Sequence, residues 1–147
     1  MQVLVLAPHP DDFDAIGVTL RRLQQRGHEL HLAVLSTGVN GVDDGFAGAR
    51  SDADKAALRE AEQRASCAFF GLSASRCHFL RLWQDLQAHA QDQQRLSQLV
   101  RTLRPDLVFM PHGNDSNATH RRSYLGFCAA AAAEGLSLQA CLNQDAK

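Results

Sequence analysis

The sequence predicts a three-layer α/β sandwich around a mostly parallel β-sheet. Short apolar segments rich in valine and leucine alternate with amphipathic segments of helical period along the 147 residues. This alternation is typical of parallel sheets with helices on both faces, as in Rossmann-like folds. No linker, internal repeat or low-complexity tract divides the chain, so we expect a single domain over residues 1–147.

Four segments have the composition of buried strands. Each is a short apolar run bounded by polar residues, glycine or proline, as expected for strands that are covered on both faces. The predicted strands comprise residues 3–7, 30–35, 77–80 and 106–110. A long polar loop with several glycines follows the second strand, and loops of this length in a compact domain are usually functional.

Four amphipathic helices are predicted between and after these strands. They comprise residues 15–26, 54–70, 91–103 and 120–134. Gly27 and Gly71 follow the first two helices and are expected to end them. The apolar positions expected to form the buried face of the second helix are Leu58, Ala61, Ala65 and Phe69.

Composition and charge exclude several classes of protein. The formal net charge of -1 gives no general attraction to nucleic acid or to an anionic membrane. No apolar run approaches the ~20 residues that span a bilayer, and no basic segment precedes an apolar one at the amino terminus, so we expect a cytoplasmic protein. The four cysteines form no C-x-x-C pair, and no G-x-G-x-x-G follows the first strand. These absences argue against a zinc knuckle, a redox dithiol and a dinucleotide-binding domain.

Two polar loops follow predicted strands, where ligands bind in open parallel sheets. His9 and Asp12 are close enough in the first loop to share a metal ion, and His120 ends the second loop as the natural third ligand. Three protein ligands and an open position describe a catalytic zinc site, in which the ion polarises carbonyls and activates water. Asp11 would remain free to handle a proton. The alternative is that the histidines only form hydrogen bonds and an aspartate caps the next helix; spacing alone leaves both open.

Three segments resemble the PIG-L/LmbE-like deacetylase family. They are APHPDD at residues 7–12, GVTL at residues 17–20 and PHGNDSNATHR at residues 111–121. The resemblance extends from Val3 to about Tyr124, and the first motif is highly specific when it directly follows an amino-terminal strand. Members of this family are zinc-dependent hydrolases of N-acetylated sugars, so the resemblance implies the same Rossmann-like fold and a deacetylase activity.

The resemblance also implies individual roles. His9, Asp12 and His120 would hold one zinc ion per chain, although the donor set also suits another divalent metal. Asp11 would be the general base that takes a proton from the attacking water.

Two further residues resemble the substrate contacts of the family. Arg59 and Glu62 match an Arg-x-x-Glu motif whose arginine is expected near the substrate, and Asp85 matches an aspartate expected to contact sugar hydroxyls. The alternatives are a solvated helix pair for Arg59 and Glu62, and a turn residue for Asp85.

The second motif departs from the family pattern at the residue expected beside the oxyanion. Many members read His-Pro-Asp-His where residues 117–120 here read Asn-Ala-Thr-His, and Phe13 replaces a glutamate that is common after the first motif. Asn117 can donate a neutral hydrogen bond to the oxyanion but cannot act as a general acid, so His112 is the other candidate for that role. A missing oxyanion donor typically lowers the rate ~10²–10³-fold.

The chain also ends sooner after the second motif than family members usually do. This length is consistent with a truncated form, a segment of a larger protein or a minimal member that relies on a partner chain. A truncated sheet edge would favour self-association into a homo-oligomer.

We therefore expect a metal-dependent hydrolase that removes an acetyl group from an amino sugar or glycoconjugate. The alternative is a metal- or sugar-binding module of the same fold that has lost turnover, which the Asn117 departure and the short carboxyl end favour. The sequence does not identify the acylated substrate.

Overall fold

The computed structural model describes residues 1–84 and 89–143, in which five parallel strands form one sheet. The strands are β1 (Gln2–Ala7), β2 (Glu29–Val34), β3 (Cys77–Phe79), β4 (Leu107–Pro111) and β5 (Gln139–Asn143). Their order in the sheet is β3-β2-β1-β4-β5, and every neighbouring pair is parallel. The predicted α/β class and parallel sheet are confirmed.

Four α-helices connect these strands and cover both faces of the sheet. They are α1 (Gly17–Gln25), α2 (Asp52–Phe69), α3 (His89–Leu103) and α4 (Ala118–Ala133). Side chains of α1 and α2, such as Leu20 and Cys67, pack with one face of the sheet, whereas Leu96 of α3 and Phe127 of α4 pack with the other. The result is the predicted three-layer sandwich with a separate apolar core on each side of the sheet.

Helix α2 begins two residues earlier than predicted because of a capping box. The Ser51 hydroxyl accepts a hydrogen bond from the Asp54 amide at 3.1 Å, and the Asp54 carboxylate accepts one from the Ser51 amide at 3.0 Å. Both contacts satisfy amides that the first turn of a helix leaves without partners.

The predicted buried face of α2 is wrong. Ala61, Ala65 and Phe69 are exposed, with 76% of Phe69 accessible. The buried positions are Ala56, Gln63 and Cys67. The helix is rotated relative to the apolar pattern because the buried amide of Gln63 contacts the loop after β1, as described below.

Strand β5 was not among the predicted strands. Its side chains are mostly exposed, so its sequence lacks the continuous apolar run that marks a covered strand. It joins the sheet through its backbone, in register with β4 from Leu107 opposite Gln139 to Pro111 opposite Asn143.

The sheet topology places a crevice at the carboxyl end of β1. Strands β2 and β3 lie on one side of β1, and strands β4 and β5 lie on the other. The strands are thus added outward from β1 in one direction and then, from β4 onward, in the opposite direction, although all of them stay parallel. Ligands of open α/β sheets bind at such a point. Both polar loops of the sequence, residues 8–13 and 112–117, begin there. None of the helices in the described ranges is long and apolar enough to cross a membrane.

Candidate active site

Three side chains from the two loops converge at the carboxyl ends of β1 and β4. One donor atom from each of His9, Asp12 and His120 lies within 4.8 Å of the other two. Asp12 lies between the histidines: its Oδ2 is 3.5 Å from Nδ1 of His9, and its Oδ1 is 3.6 Å from Nε2 of His120. The structure thus brings together the three residues that the sequence predicts as ligands, in an arrangement that could hold a metal ion.

A buried carboxylate orients His120 from behind. Oδ2 of Asp115 lies 3.1 Å from Nδ1 of His120, and both side chains are at least 94% buried. Asp115 is itself held in place, because its Oδ1 accepts the amide of Asn117 at 2.7 Å. Metal-bound histidines usually donate their second ring nitrogen to such a carboxylate, which fixes the ring and raises its basicity as a ligand. Sequence reasoning assigned Asp115 no role, although an aspartate five residues before a candidate ligand was the available signal.

Asp11 has an unusual backbone conformation in the turn between His9 and Asp12. Its φ of 106° lies in a region that side chains rarely adopt, and such conformations cost on the order of 1–3 kcal/mol unless the surroundings impose them. The side chain of Asp11 lines the cleft, with 61% of its surface accessible.

Helix α2 holds this turn at several points. The buried Gln63 accepts the Asp11 amide through Oε1 at 2.8 Å. One turn earlier on the helix, Nη2 of Arg59 donates to the carbonyl oxygen of Pro10 at 2.5 Å and to Oδ2 of Asp11 at 2.7 Å. The other terminal nitrogen of Arg59, Nη1, donates to Oε2 of Glu62 at 2.9 Å. Partial burial would lower the pKa of Arg59, but the hydrogen bonds to Asp11 and Glu62 outweigh it and raise that pKa.

Arg59 therefore contacts Asp11 as well as lining the cleft, and Gln63 is a contact of the site that sequence reasoning missed. A glutamine inside an amphipathic pattern is read as a solvent-facing position, so no signal in the sequence distinguished it.

Asn117 caps helix α4. Its Oδ1 accepts the amide of Thr119 at 2.8 Å, which satisfies one of the free amides in the first turn. His112 lies two residues beyond the end of the apolar part of β4, where its Nδ1 accepts the amide of Asn114 at 3.0 Å. Neither residue lines the cleft described below. Asp85, which the sequence predicts as a substrate contact, lies outside the described residues.

A cleft of about 860 Å³ opens beside the three converging side chains. Its walls come from the loops after β1, β2 and β3 and from helices α2 and α4. The lining includes His9, Asp11, Arg59, Trp83 and Arg122. Gly38 is needed on this wall, because it has a φ of +66° and a Cβ there would lie 2.9 Å from Cδ of Pro10. The volume is within the range of small-molecule binding sites.

A family model described as PIG-L, GlcNAc-PI de-N-acetylase, matches residues 4–131. The chain belongs to the PIG-L family. The match covers both loops that form the site, so the resemblance seen in the sequence is confirmed. No curated protein matches the chain.

Solved structures share the fold of this PIG-L chain. N,N'-diacetylchitobiose deacetylase from Pyrococcus horikoshii is 26% identical with a TM-score of 0.74, over 88% of this chain and 49% of that one. A conserved protein from Thermus thermophilus is 26% identical with a TM-score of 0.69, over 99% and 61% of the two chains. The 4-carboxy-2-hydroxymuconate hydratase GalB from Pseudomonas putida is 23% identical with a TM-score of 0.74, over 88% and 55%. The PIG-L chain thus spans about half to three fifths of the length of these proteins.

Proposed function

We propose that the chain forms the core of a metal-dependent hydrolase that removes an acetyl group from an amino sugar or glycoconjugate. Membership of the PIG-L family and the likeness to a deacetylase of a diacetylated disaccharide support this reaction class. The observation that carries the proposal is the convergence of His9, Asp12 and His120 beside a cleft that Asp11 also lines.

The donor set fits a divalent metal. Two imidazoles and one carboxylate approach one another. The buried Asp115 contacts Nδ1 of His120, which is how a carboxylate usually orients a histidine that binds a metal through its other ring nitrogen. Zinc is the proposed occupant, and the same donors also suit iron(II). A metal ion held by these residues would supply Lewis acidity toward the amide carbonyl and water.

The remaining chemistry belongs to Asp11. Its Oδ2 is engaged by Arg59, whereas Oδ1 has no hydrogen-bond partner among the described residues. We propose that Asp11 accepts a proton from the attacking water as a general base and later donates it to the leaving amine as a general acid. Arg59 and Gln63 would act by fixing the Asp11 turn. Asn117 is proposed as a donor to the oxyanion through its amide nitrogen, since its oxygen already caps α4.

The test is the Asp11→Asn variant, which keeps the shape of the side chain but removes its basicity. Release of acetate from N,N'-diacetylchitobiose and N-acetylglucosamine should fall ~10²–10⁴-fold, while metal content measured by elemental analysis stays near that of the wild type. Asp43→Asn, in the exposed loop before α2, is the matched control and should keep full activity. Loss of the metal in Asp11→Asn would instead make Asp11 a ligand, and unchanged activity would remove it from the mechanism.

The second candidate is a binding module without turnover. The use of Asn117 as a helix cap favours it, because that residue stands where many relatives have a histidine that takes part in the reaction. Under this reading the wild type binds metal and sugar but releases no acetate from any acetylated sugar offered to it.

A further inference from the structure

The loop after β3 has two strained residues that face the cleft. Arg81 and Trp83 have φ values of 50° and 63°, in the left-handed region that large side chains rarely adopt. Leu82 between them is 1% exposed and packs in the core at the edge of the same cleft, and Arg81 and Trp83 also line that cleft. Strain of this kind persists where the surrounding structure imposes it, and it is concentrated at ligand sites.

Specific contacts impose this conformation. The Trp83 amide donates to Oδ2 of the buried Asp92 at 2.7 Å, and the Leu82 amide donates to the carbonyl oxygen of Leu35 at 2.6 Å. Arg81 donates through Nε to Glu60 at 2.6 Å. The indole of Trp83 is therefore fixed at the cleft wall by its backbone.

Trp83 holds the guanidinium of Arg122 at this wall. Cζ of Arg122 lies 5.7 Å from the centroid of the indole, which is within cation–π range. Arg122 lies three residues after Thr119 on α4, so the two side chains share one helix face, and both line the cleft.

Arg122 differs from the other arginines of the cleft in its partners. Arg59 is paired with Asp11 and Glu62, and Arg81 is paired with Glu60. No carboxylate among residues 1–84 and 89–143 forms an ion pair with Arg122. Within the part of the chain that the structure describes, its planar set of N–H donors is thus positioned by the indole without a carboxylate partner.

We propose that Arg122, positioned by Trp83, is a subsite for an anionic group of the substrate, a phosphate or a carboxylate carried by the acetylated amino sugar. Arginine binds both groups through paired N–H donors. The inference rests on the proposed function, in which the acetamide of the substrate binds at the three predicted metal ligands. Arg122 would bind the part of the same substrate that extends from the acetamide to the opposite wall of the cleft. It narrows the substrate class from acetylated sugars in general to acidic glycoconjugates.

The experiment measures binding of deacetylated ligands, which cannot react. Trp83 is the only tryptophan of the chain, so its fluorescence reports directly on this wall. The protein, purified without chelator, is titrated with glucosamine, glucosamine 1-phosphate and muramic acid, which carry no anion, a phosphate and a carboxylate respectively. Calorimetry provides the same dissociation constants without relying on fluorescence. We expect at least one of the two anionic ligands to bind about 10- to 100-fold more tightly than glucosamine, as for hydrogen bonds to charged groups.

Arg122→Gln should abolish this preference while leaving glucosamine binding unchanged. Arg122→Lys, which keeps the charge but loses the planar donors, should retain part of it. Arg21→Gln makes the same change of charge on the exposed surface of α1 and should keep the full preference. Equal affinity of the wild type for all three ligands would overturn the subsite. A preference that persists in Arg122→Gln would also overturn it, since the anion would then bind elsewhere, for example at the three metal ligands.

These outcomes are independent of turnover. If the wild type releases no acetate but shows the Arg122-dependent preference, the deacetylase function fails and the anion subsite stands. If it releases acetate and shows no such preference, the reverse holds.

Discussion

Asn117 has a structural role through one atom of its side chain, and the proposed chemical role would use another. Its Oδ1 caps α4 by accepting the Thr119 amide, and its backbone amide donates to the buried Asp115. The cap determines where α4 begins, and His120 lies in the first turn of that helix. Only the side-chain amide nitrogen is left for an oxyanion.

Two variants of Asn117 separate these roles. Asn117→Ala removes the cap and should lower the free energy of unfolding by about 1 kcal/mol. Asn117→Asp keeps an oxygen acceptor at the cap and should retain the stability of the wild type. If the amide nitrogen stabilises the oxyanion, Asn117→Asp should still lower kcat ~10²-fold or more with little change in KM. Urea unfolding and steady-state kinetics of both proteins, with metal content matched, are the measurements. An Asn117→Asp protein with full kcat would leave Asn117 as a helix cap alone.

The contrast between Gln63 and the three predicted ligands shows what residue patterns could predict. His9, Asp12 and His120 are recognisable because imidazole and carboxylate groups after strands are chemically distinctive, and a parallel sheet brings such loops to one edge. Gln63 is ordinary in type and buried in position, and its importance arises only because α2 passes under the Asp11 turn. A tertiary contact of this kind has no local sequence signal.

The pairing of β2 with β3 produces another contact that the sequence did not predict. His31 and His78 are 47 residues apart in the sequence, but their strands place Nδ1 of His31 3.3 Å from Nε2 of His78, with the rings stacked at 18°. Burial lowers the pKa of both histidines, and for His31 the nearby His78 and Arg76 lower it further while Glu29 raises it. The pair therefore favours its neutral form.

This pair should make the stability of the fold depend on pH. Because the folded-state pKa values lie below the unfolded value of ~6.5, the unfolded chain binds more protons as the pH falls through that region. The contribution of the pair is complete above pH ~6.5 and is lost as the pH falls toward the lowered pKa values. With chelator present, the free energy of unfolding should fall less between pH 7.5 and 5.5 in His31→Gln/His78→Gln than in the wild type. His89→Gln, at an exposed position, is the control. An equal fall in the double variant and the wild type would contradict the prediction.

The elements themselves were largely predictable because each covered strand is a continuous apolar run between breakers. The exceptions have physical reasons. Strand β5 is exposed and joins the sheet by backbone pairing, which no side-chain pattern records. Helix α2 buries Gln63, which contacts the site, together with the small residues Ala56 and Cys67, so the position of its larger apolar residues was misleading.

At the scale of the whole molecule, the fold does not decide the reaction. The same architecture is found in a deacetylase and, at 23% identity, in a hydratase. Function depends on the side chains presented at the carboxyl end of the sheet. In this chain the candidate site combines His9 and Asp12, which follow β1, with His120 of α4, the helix that follows β4.

A metal ion at this site should therefore stabilise the whole fold, because it would link two segments that are more than 100 residues apart in the sequence. A ligand that binds only the folded state contributes ~2.7 kcal/mol at 100 times its Kd, which corresponds to a rise in Tm of roughly 5–10 °C for a chain of this size. Thermal unfolding of the metal-free protein with increasing zinc should show this rise.

Two variants test where the metal binds. His120→Ala should show almost no rise in Tm with zinc. Asp115→Asn leaves the three predicted ligands in place but removes the carboxylate that orients His120, so it should need about 10- to 100-fold more zinc for the same rise. His89→Ala removes an exposed histidine of α3 and should behave as the wild type. A zinc-dependent rise in Tm that is as large in His120→Ala as in the wild type would place the metal elsewhere on the molecule.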